Sequence, residues 1–306
     1  MKNPAQNTIT TTKIQKSVGD RIADFFIYLA LTLLALTVII PFYNMLLVSI
    51  ARYADIVTTP FYFYPKSIDF QNYRMAFLYP NFKNAAMVSV FVTAVGTTLN
   101  MIMTTLGAYT LSRRDMPFRK FFFYFIVFTM FFGAGLIPWY LVMKGLGLVN
   151  SVWAMIFPPM VGTFNLILMR NYFLSIPESL EESARIDGAN DLRIMIQVII
   201  PVATPIIATI ALFYAVDRWN EWWLAMLFIQ DSKRLPLQLI LRRMVVDATI
   251  DLGNDMMNAM RDAKIQIHGR SLQMATVTIT TIPIMIVYPF LQKYFTKGIM
   301  LGAIKA

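Results

Sequence analysis

The chain has 306 residues, of which 57% are hydrophobic and 14% charged, and its formal net charge is +10. This composition lies outside the range of soluble globular proteins and indicates a membrane protein. The absence of cysteine and the single histidine exclude disulfide frameworks, cysteine-based metal sites and a His-x-x-x-His zinc motif. In a membrane protein, the positive charge indicates basic cytoplasmic loops and anionic lipid headgroups rather than nucleic acid.

Six apolar runs predict an all-α membrane protein with six transmembrane helices, because each run is long enough to cross a hydrocarbon core about 30 Å thick. These runs cover residues 25–50, 84–111, 121–142, 152–174, 202–229 and 272–295. The Pro158-Pro159 pair predicts a kink in the fourth helix. A flexible tail is expected over 1–20, followed by one transmembrane domain over 21–306 with outer loops at 51–82 and 231–270.

The distribution of Lys and Arg predicts the orientation. Residues 113–120 contain four basic side chains, whereas the equally short 144–151 contains one. The positive-inside rule therefore predicts that 113–120 faces the cytoplasm, together with both termini. The seven basic residues of 231–270 do not support this assignment, since that stretch is expected outside.

A charged segment over 177–201 separates the fourth and fifth apolar runs. Seven of its residues are charged within 16 positions, so it cannot lie against lipid. Pro177 suits the first turn of a helix, and the glutamates that follow complement the positive end of the helix dipole. Gly188 is suited to the left-handed turn that ends a helix. The segment therefore predicts a short helix, a glycine turn and a second helix starting near Asp191.

Glu182-Ser183-Ala184, Asp187-Gly188-Ala189 and Ile200-Pro201 resemble the "EAA" loop of bacterial ATP-binding-cassette (ABC) importer permeases. Ser183 and Ile200 depart mildly from the usual Ala and Leu. The resemblance implies the type I ABC importer permease fold, with a coupling helix between helices 4 and 5 that docks into an ATPase subunit. The residues expected to make this contact are Glu181, Glu182, Ser183, Ala184, Asp187, Gly188, Ala189 and Pro201.

A polar and aromatic cluster occupies the predicted fifth span. Asp217 lies about 22 Å along that helix at 1.5 Å per residue, which places it in the outer half of the membrane. Charges at such depth face a protein interior or an aqueous cavity. One interpretation is a translocation path; the alternative is an interfacial aromatic belt with a buried Arg218–Glu221 pair. The candidate path residues, several of them expected on one helix face, are Tyr214, Asp217, Arg218, Trp219, Asn220, Glu221 and Trp222.

Trp219-Asn220, Gly135-Leu136-Ile137-Pro138 and Leu235-Pro236-Leu237-Gln238 are similar to the polysaccharide and complex-oligosaccharide branch of these permeases, related to the second permease of maltose-type systems. This resemblance implies an oligosaccharide substrate and a bacterial cytoplasmic membrane location. It also implies three partners: a second permease, a cytoplasmic ATPase dimer and an extracytoplasmic solute-binding protein.

The sequence contains no Gly-x-x-x-x-Gly-Lys-Ser/Thr phosphate-binding loop and no Ser, His and carboxylate arrangement for nucleophilic catalysis. A transport subunit without catalytic residues or cofactor is therefore expected, with ATP and Mg²⁺ bound by the partner ATPase. A secondary transporter or channel that works without an ATPase is the alternative.

Overall fold

The computed structural model describes residues 17–52, 55–56, 63–64, 67–246 and 269–303. These residues form helices joined by turns, with no β-strand among them, in agreement with the predicted all-α class. The helices are α-helical except for a π-helical stretch, Met195–Ile199, within α8, and for short 3₁₀ turns. The helices are α1 (Val18–Ser49), α2 (Gln71–Leu78), α3 (Phe82–Ser112), α4 (Arg119–Phe131), α5 (Leu136–Gly145), α6 (Thr163–Leu174), α7 (Ser179–Ile186), α8 (Asp191–Val202), α9 (Thr204–Trp219), α10 (Trp223–Phe228), α11 (Leu237–Val246) and α12 (Gly269–Ala303). Most of the predicted tail (1–16) lies outside the described residues. So do parts of the predicted outer loop 51–82 (53–54, 57–62 and 65–66) and of the predicted outer loop 231–270 (247–268, with His268).

The first, second and sixth predicted spans correspond to the single helices α1, α3 and α12. Among the described residues, α1 and α3 are long and apolar enough to cross a membrane, with 32 and 31 residues. Two bent helix pairs would raise the number of spans to four if each pair were one span. The number of six therefore stays a prediction.

The predicted third span is not one helix. It is divided into α4 and α5, whose axes differ by 117° across the break at 132–135. Gly135 in this break has a φ of +83°, in the left-handed region that glycine adopts at low cost. Gly133 lies two residues earlier, and two glycines so close together weaken a helix that apolarity alone favours.

The predicted fourth and fifth spans are also interrupted. Residues 152–155 form a 3₁₀ turn, and regular helix resumes only with α6, so Pro158-Pro159 break the helix rather than kink it. Each proline lacks a backbone N–H and disfavours the helical conformation of the residue before it. The fifth span ends as α9 at Trp219, and its predicted last residues form the separate α10.

α3 is the central helix of the described structure and packs along α6 and α9. One apolar cluster lies near its C-terminal end and includes Tyr109, Phe173 and Ile194. A second cluster lies near its N-terminal end and includes Phe82 and Phe228. By contrast, the apolar window of α1 has no buried residue, and α1 contributes buried side chains only at its C-terminal end.

Two side chains, Asn100 and Tyr214, form hydrogen bonds with the irregular backbone that follows the 3₁₀ turn. Asn100 Nδ2 donates to the carbonyl oxygens of Pro159 and Met160 at 2.6 and 2.9 Å. The Gly162 N–H donates to the Tyr214 hydroxyl at 2.9 Å, and that hydroxyl also pairs with Thr104 at 2.7 Å. Non-helical backbone is tolerated at membrane depth only when its polar groups find such partners.

We predict that Asn100→Ala lowers the unfolding temperature of the purified protein in detergent. The substitution removes the donor to the partly buried carbonyl groups of Pro159 and Met160, at a cost of about 1–3 kcal/mol. Thr98→Ala is the control, because Thr98 is exposed and its hydroxyl bonds only to Ala94 O of its own helix. Equal unfolding temperatures for the two variants would contradict this role of Asn100.

Candidate functional site

The charged segment has the predicted helix–turn–helix structure. α7 ends at Ile186, Gly188 has a φ of +79°, and α8 begins at Asp191. The Asn190 side chain caps α8 by accepting from the Arg193 N–H at 2.9 Å. A Cβ added at Gly188 would meet no atom within 4 Å, so only its backbone conformation restricts this position to glycine.

The candidate coupling residues divide into two groups by exposure. Those that turn inward are Glu181, Ala184 and Ala189, and those exposed to solvent are Glu182, Ser183, Asp187, Gly188 and Pro201. The two alanines pack against the apolar cluster at the C-terminal end of α3. The exposed group near the Gly188 turn therefore forms the surface that a partner can reach.

Ile186 belongs to this surface but was not predicted from the sequence. Its side chain is 87% exposed at the end of α7, the largest exposure among the described large hydrophobic residues. An isolated isoleucine between Arg185 and Asp187, off the stripe formed by Leu180 and Ala184, is the signal that could have revealed it.

The turn after α3 contacts α7 through charged groups. Arg113 forms an ion pair with Glu181 and lies 3.8 Å from the Asp191 carboxylate. Burial lowers the pKa of the Arg113 guanidinium, but contact with Tyr109 and the charges of Asp115 and Asp191 outweigh this effect. The resulting pKa is raised above its ordinary value, so Arg113 is charged at every physiological pH. In the sequence, Arg113 indicated only the orientation of the chain, and its contact with α7 was not predicted.

The polar cluster of the fifth span is centred on a buried arginine. Arg218 is 3% exposed and donates from Nη1 to Met155 O at 2.7 Å and from Nη2 to Asp217 Oδ2 at 2.5 Å. Glu221 Oε2 lies 3.7 Å from Arg218 Nη1, and Glu221 Oε1 accepts from the Leu224 N–H at 2.8 Å. The Arg218–Glu221 pair that the sequence suggested is therefore present and buried within this chain.

The expected common helix face is not found. α9 ends at Trp219, so Glu221 and Trp222 lie beyond the helix. Tyr214 and Arg218 are both 3% exposed, whereas the Asp217 side chain is 66% exposed. The helix end separates these residues, and spacing rules for a continuous helix therefore do not apply to them.

The remaining members of the cluster have different environments. Trp219 Nε1 donates to Thr280 O of α12 at 2.9 Å, and the Trp222 ring lies under the Arg242 guanidinium at 4.5 Å from its centroid. Asn220 is exposed and accepts from Gln238 Nε2 at 3.3 Å. Asp217 and Asn220 are thus the cluster members whose polar groups are open to solvent.

Gly96 permits the approach of Arg218 to α3. A Cβ at this position would lie 3.0 Å from Arg218 Cδ and 3.3 Å from Cγ. Gly96 therefore allows close packing, as small residues commonly do between transmembrane helices. No group of three or more His, Asp or Glu side chains able to hold a metal ion occurs in the part of the chain that the structure describes.

Residues 9–301 match the family described as binding-protein-dependent transport system inner membrane component. The chain belongs to this family. The permease is therefore a membrane-integral transport subunit, as the resemblance implied. A component of such a system works with a solute-binding protein, a second permease and an ATPase.

The permease is 41% identical over 286 residues to the polygalacturonan/rhamnogalacturonan transport system permease protein YtcP of Bacillus subtilis (strain 168), covering 94% of this chain and 99% of the relative. It also matches a chain in the crystal structure of a bacterial ABC transporter involved in the import of the acidic polysaccharide alginate. That match has a TM-score of 0.85 and 35% identity over 92% of this chain and 99% of the other. A chain from the alginate transporter in complex with its pentasaccharide-bound periplasmic protein, at 14% identity and a TM-score of 0.53, shares the fold alone.

We predict that Arg218→Met lowers the amount of permease in the membrane. It leaves the Glu221 carboxylate buried without its partner, and breaking a buried pair in this way costs about 3–5 kcal/mol. Glu221→Gln should have a smaller effect of the same sign, because the amide oxygen can still accept from Leu224.

Immunodetection of the permease in isolated membranes measures both variants, with Arg243→Met as the control. Arg243 is exposed on α11, so its replacement should leave the amount unchanged. Normal amounts of Arg218→Met together with lost uptake would instead assign Arg218 to the translocation path.

Proposed function

We propose that this permease imports oligosaccharides across the bacterial cytoplasmic membrane by alternating access, driven by ATP hydrolysis in a separate ATPase dimer. The observation that carries the coupling is the α7–Gly188–α8 loop, which presents exposed polar residues and Ile186 beside a left-handed turn. In this proposal the loop is the coupling helix between the fourth and fifth spans of a six-span type I permease, with both termini cytoplasmic.

The oligosaccharide class is supported by the relatives. YtcP is named for polygalacturonan and rhamnogalacturonan, and the transporter with a TM-score of 0.85 is one involved in the import of alginate. Membership of a binding-protein-dependent family favours an ATP-driven importer over a secondary transporter or channel, for which no observation speaks.

The contact with the ATPase rests on the loop around Gly188. Glu182, Ser183 and Asp187 supply exposed polar groups, and Ile186 supplies an apolar side chain at the same end of α7. An exposed large apolar residue surrounded by charges is the arrangement expected of a protein-binding surface. Glu181, Ala184 and Ala189 face inward and anchor the loop to the rest of the chain. Pro201 lies in the last turn of α8.

We predict that Gly188→Val abolishes ATP-driven uptake and the co-purification of the ATPase, while the permease remains in the membrane. A β-branched residue in the left-handed region costs about 1–3 kcal/mol and distorts the turn. Gly188→Asn is the matched control, because asparagine tolerates this conformation and no atom lies within 4 Å of a Cβ at this position.

The assay uses the permease co-expressed with its second permease, ATPase and binding protein. The probe is the labelled fraction of a polygalacturonan digest that the binding protein retains. Normal uptake by Gly188→Val would contradict the docking assignment. Uptake by the permease alone, isolated in active form without an ATPase, would contradict ATP-driven import altogether.

The translocation path in this proposal passes the outer end of α9. Asp217 presents a carboxylate that is 66% exposed at a depth where a charge must face water or a protein partner. Asn220 is also exposed near Asp217. Tyr214, Arg218 and Glu221 are buried and fix the position of this part of the chain. Trp219 and Trp222 complete the group as aromatic surfaces, which suit contact with a sugar ring.

We predict that Asp217→Asn lowers uptake of the probe several-fold while the amount of permease in the membrane is unchanged. The substitution removes the exposed charge but keeps an oxygen that can accept from Arg218. Asp69→Asn is the control, since its Oδ1 accepts the Gln71 N–H at the start of α2, which an amide oxygen also does. Unchanged uptake in Asp217→Asn would remove Asp217 from the path.

A further inference from the structure

The turn after α3, residues 113–115, is joined by crossed ion pairs to the α7–Gly188–α8 loop, here called the docking loop. Arg114 Nη1 lies 3.0 Å from Glu178 Oε2, and Arg185 Nη2 lies 3.5 Å from Asp115 Oδ2. Arg113 pairs with Glu181 at the centre of this group. The turn after α3 and the helix α7 thus each carry basic and acidic groups, and each group faces one of opposite charge on the other segment.

The Arg113–Glu181 pair is the least exposed of these contacts. The two side chains are 14% and 20% exposed, whereas those of Arg114 and Glu178 are 76% and 53% exposed. Ion pairs open to solvent contribute little, because water screens the charges and the long side chains lose entropy. The Arg113 guanidinium also lies over the Tyr109 ring, 5.6 Å from its centroid, so it is held by its own helix while it reaches α7.

Apolar packing between the turn after α3 and α7 is sparse and involves Ala184 of α7. An open cavity of about 220 Å³ lies between them, with Ser112, Phe173 and Glu182 among its lining residues. α7 has no buried residue of its own. Apart from Ala184, which packs against the apolar cluster near the end of α3, the main contact of α7 with this end is therefore the Arg113–Glu181 ion pair.

α3 connects this end of the permease with the polar cluster around Arg218, here called the outer cluster. Gly96 lies 17 residues before Arg113, which corresponds to about 25 Å of helix. At that level α3 contacts Arg218 through Gly96 and holds Pro159 and Met160 through Asn100. A displacement of α3 along its axis would therefore move the partners of Arg218 and the irregular 156–162 segment together.

We propose that Arg113 is a positioning residue for ATP-driven transport, which holds α7 on α3 so that movement of the docking loop is transmitted along α3. The inference rests on the proposed function, because it requires that the ATPase moves the docking loop. It assigns a second connection from the loop to the outer cluster, separate from the continuous chain through α8 and α9. Arg113 touches neither the solute nor the ATPase in this mechanism and acts through Glu181.

The test uses the complete importer in proteoliposomes, with the same polygalacturonan-digest probe. Uptake and ATP hydrolysis are measured on the same preparation of Arg113→Gln. We expect the ATPase to co-purify as before, and uptake per ATP hydrolysed to fall by about tenfold, as for loss of one charge-assisted contact. Arg114→Gln is the matched control, because its ion pair is open to solvent, and its ratio should stay unchanged.

A charge exchange separates positioning from a general structural role. Arg113→Glu combined with Glu181→Arg restores opposite charges across the cavity, so the double variant should recover most of the ratio that either single variant loses. This double variant also decides the outcome if Arg113→Gln does not accumulate in the membrane. No recovery would overturn the inference, as would an unchanged ratio in Arg113→Gln or loss of the ATPase from it. Absence of ATP-driven uptake in the unaltered importer would instead contradict the proposed function.

Discussion

The permease depends on one requirement of the membrane interior, which is that every backbone polar group must have a hydrogen-bond partner. A continuous helix meets this requirement by itself, but the segment 156–162 is not helical. Two of its carbonyl groups and one N–H group are paired by side chains from two other helices, Asn100 of α3 and Tyr214 of α9, while Arg218 pairs the carbonyl of Met155 just before it. These polar residues therefore have structural partners that their sequence positions alone did not indicate.

This requirement also explains which parts of the fold could be predicted. α1 and α3 followed from apolar length, and the α7–Gly188–α8 turn followed from charge, proline and glycine. The breaks in the third, fourth and fifth spans could not be predicted from the sequence. Hydropathy measures whether a segment can lie in the membrane and not whether it forms one helix. Proline and glycine indicate where a helix can break, but whether it kinks or ends depends on partners distant in sequence. For Pro159 that partner is Asn100, 59 residues away.

The candidate sites show the same limit. The α7–Gly188–α8 loop was predictable because its conformation is set by nearby residues and its spacing resembles a known family. The polar cluster of the fifth span was predictable as a group of polar residues. The direction of each side chain was not predictable, because α9 ends within the cluster. Asp217 and Arg218 are neighbours in sequence, yet one is largely exposed and the other is buried. The Arg113–Glu181 contact required the three-dimensional arrangement, whereas Ile186 had a signal in the sequence that was not used.

α1 presents the opposite case to α3. Its apolar window buries nothing within this chain, and only the end around Asn44 to Ser49 is packed. Complementary shape within the subunit therefore constrains few of its side chains, whereas length and apolarity constrain nearly all of them. Among related permeases, α1 should accept exchanges among Leu, Ile, Val and Phe freely along most of its length. Its C-terminal turns should vary far less, and so α1 can adapt to different membranes or neighbours without disturbing the rest of the subunit.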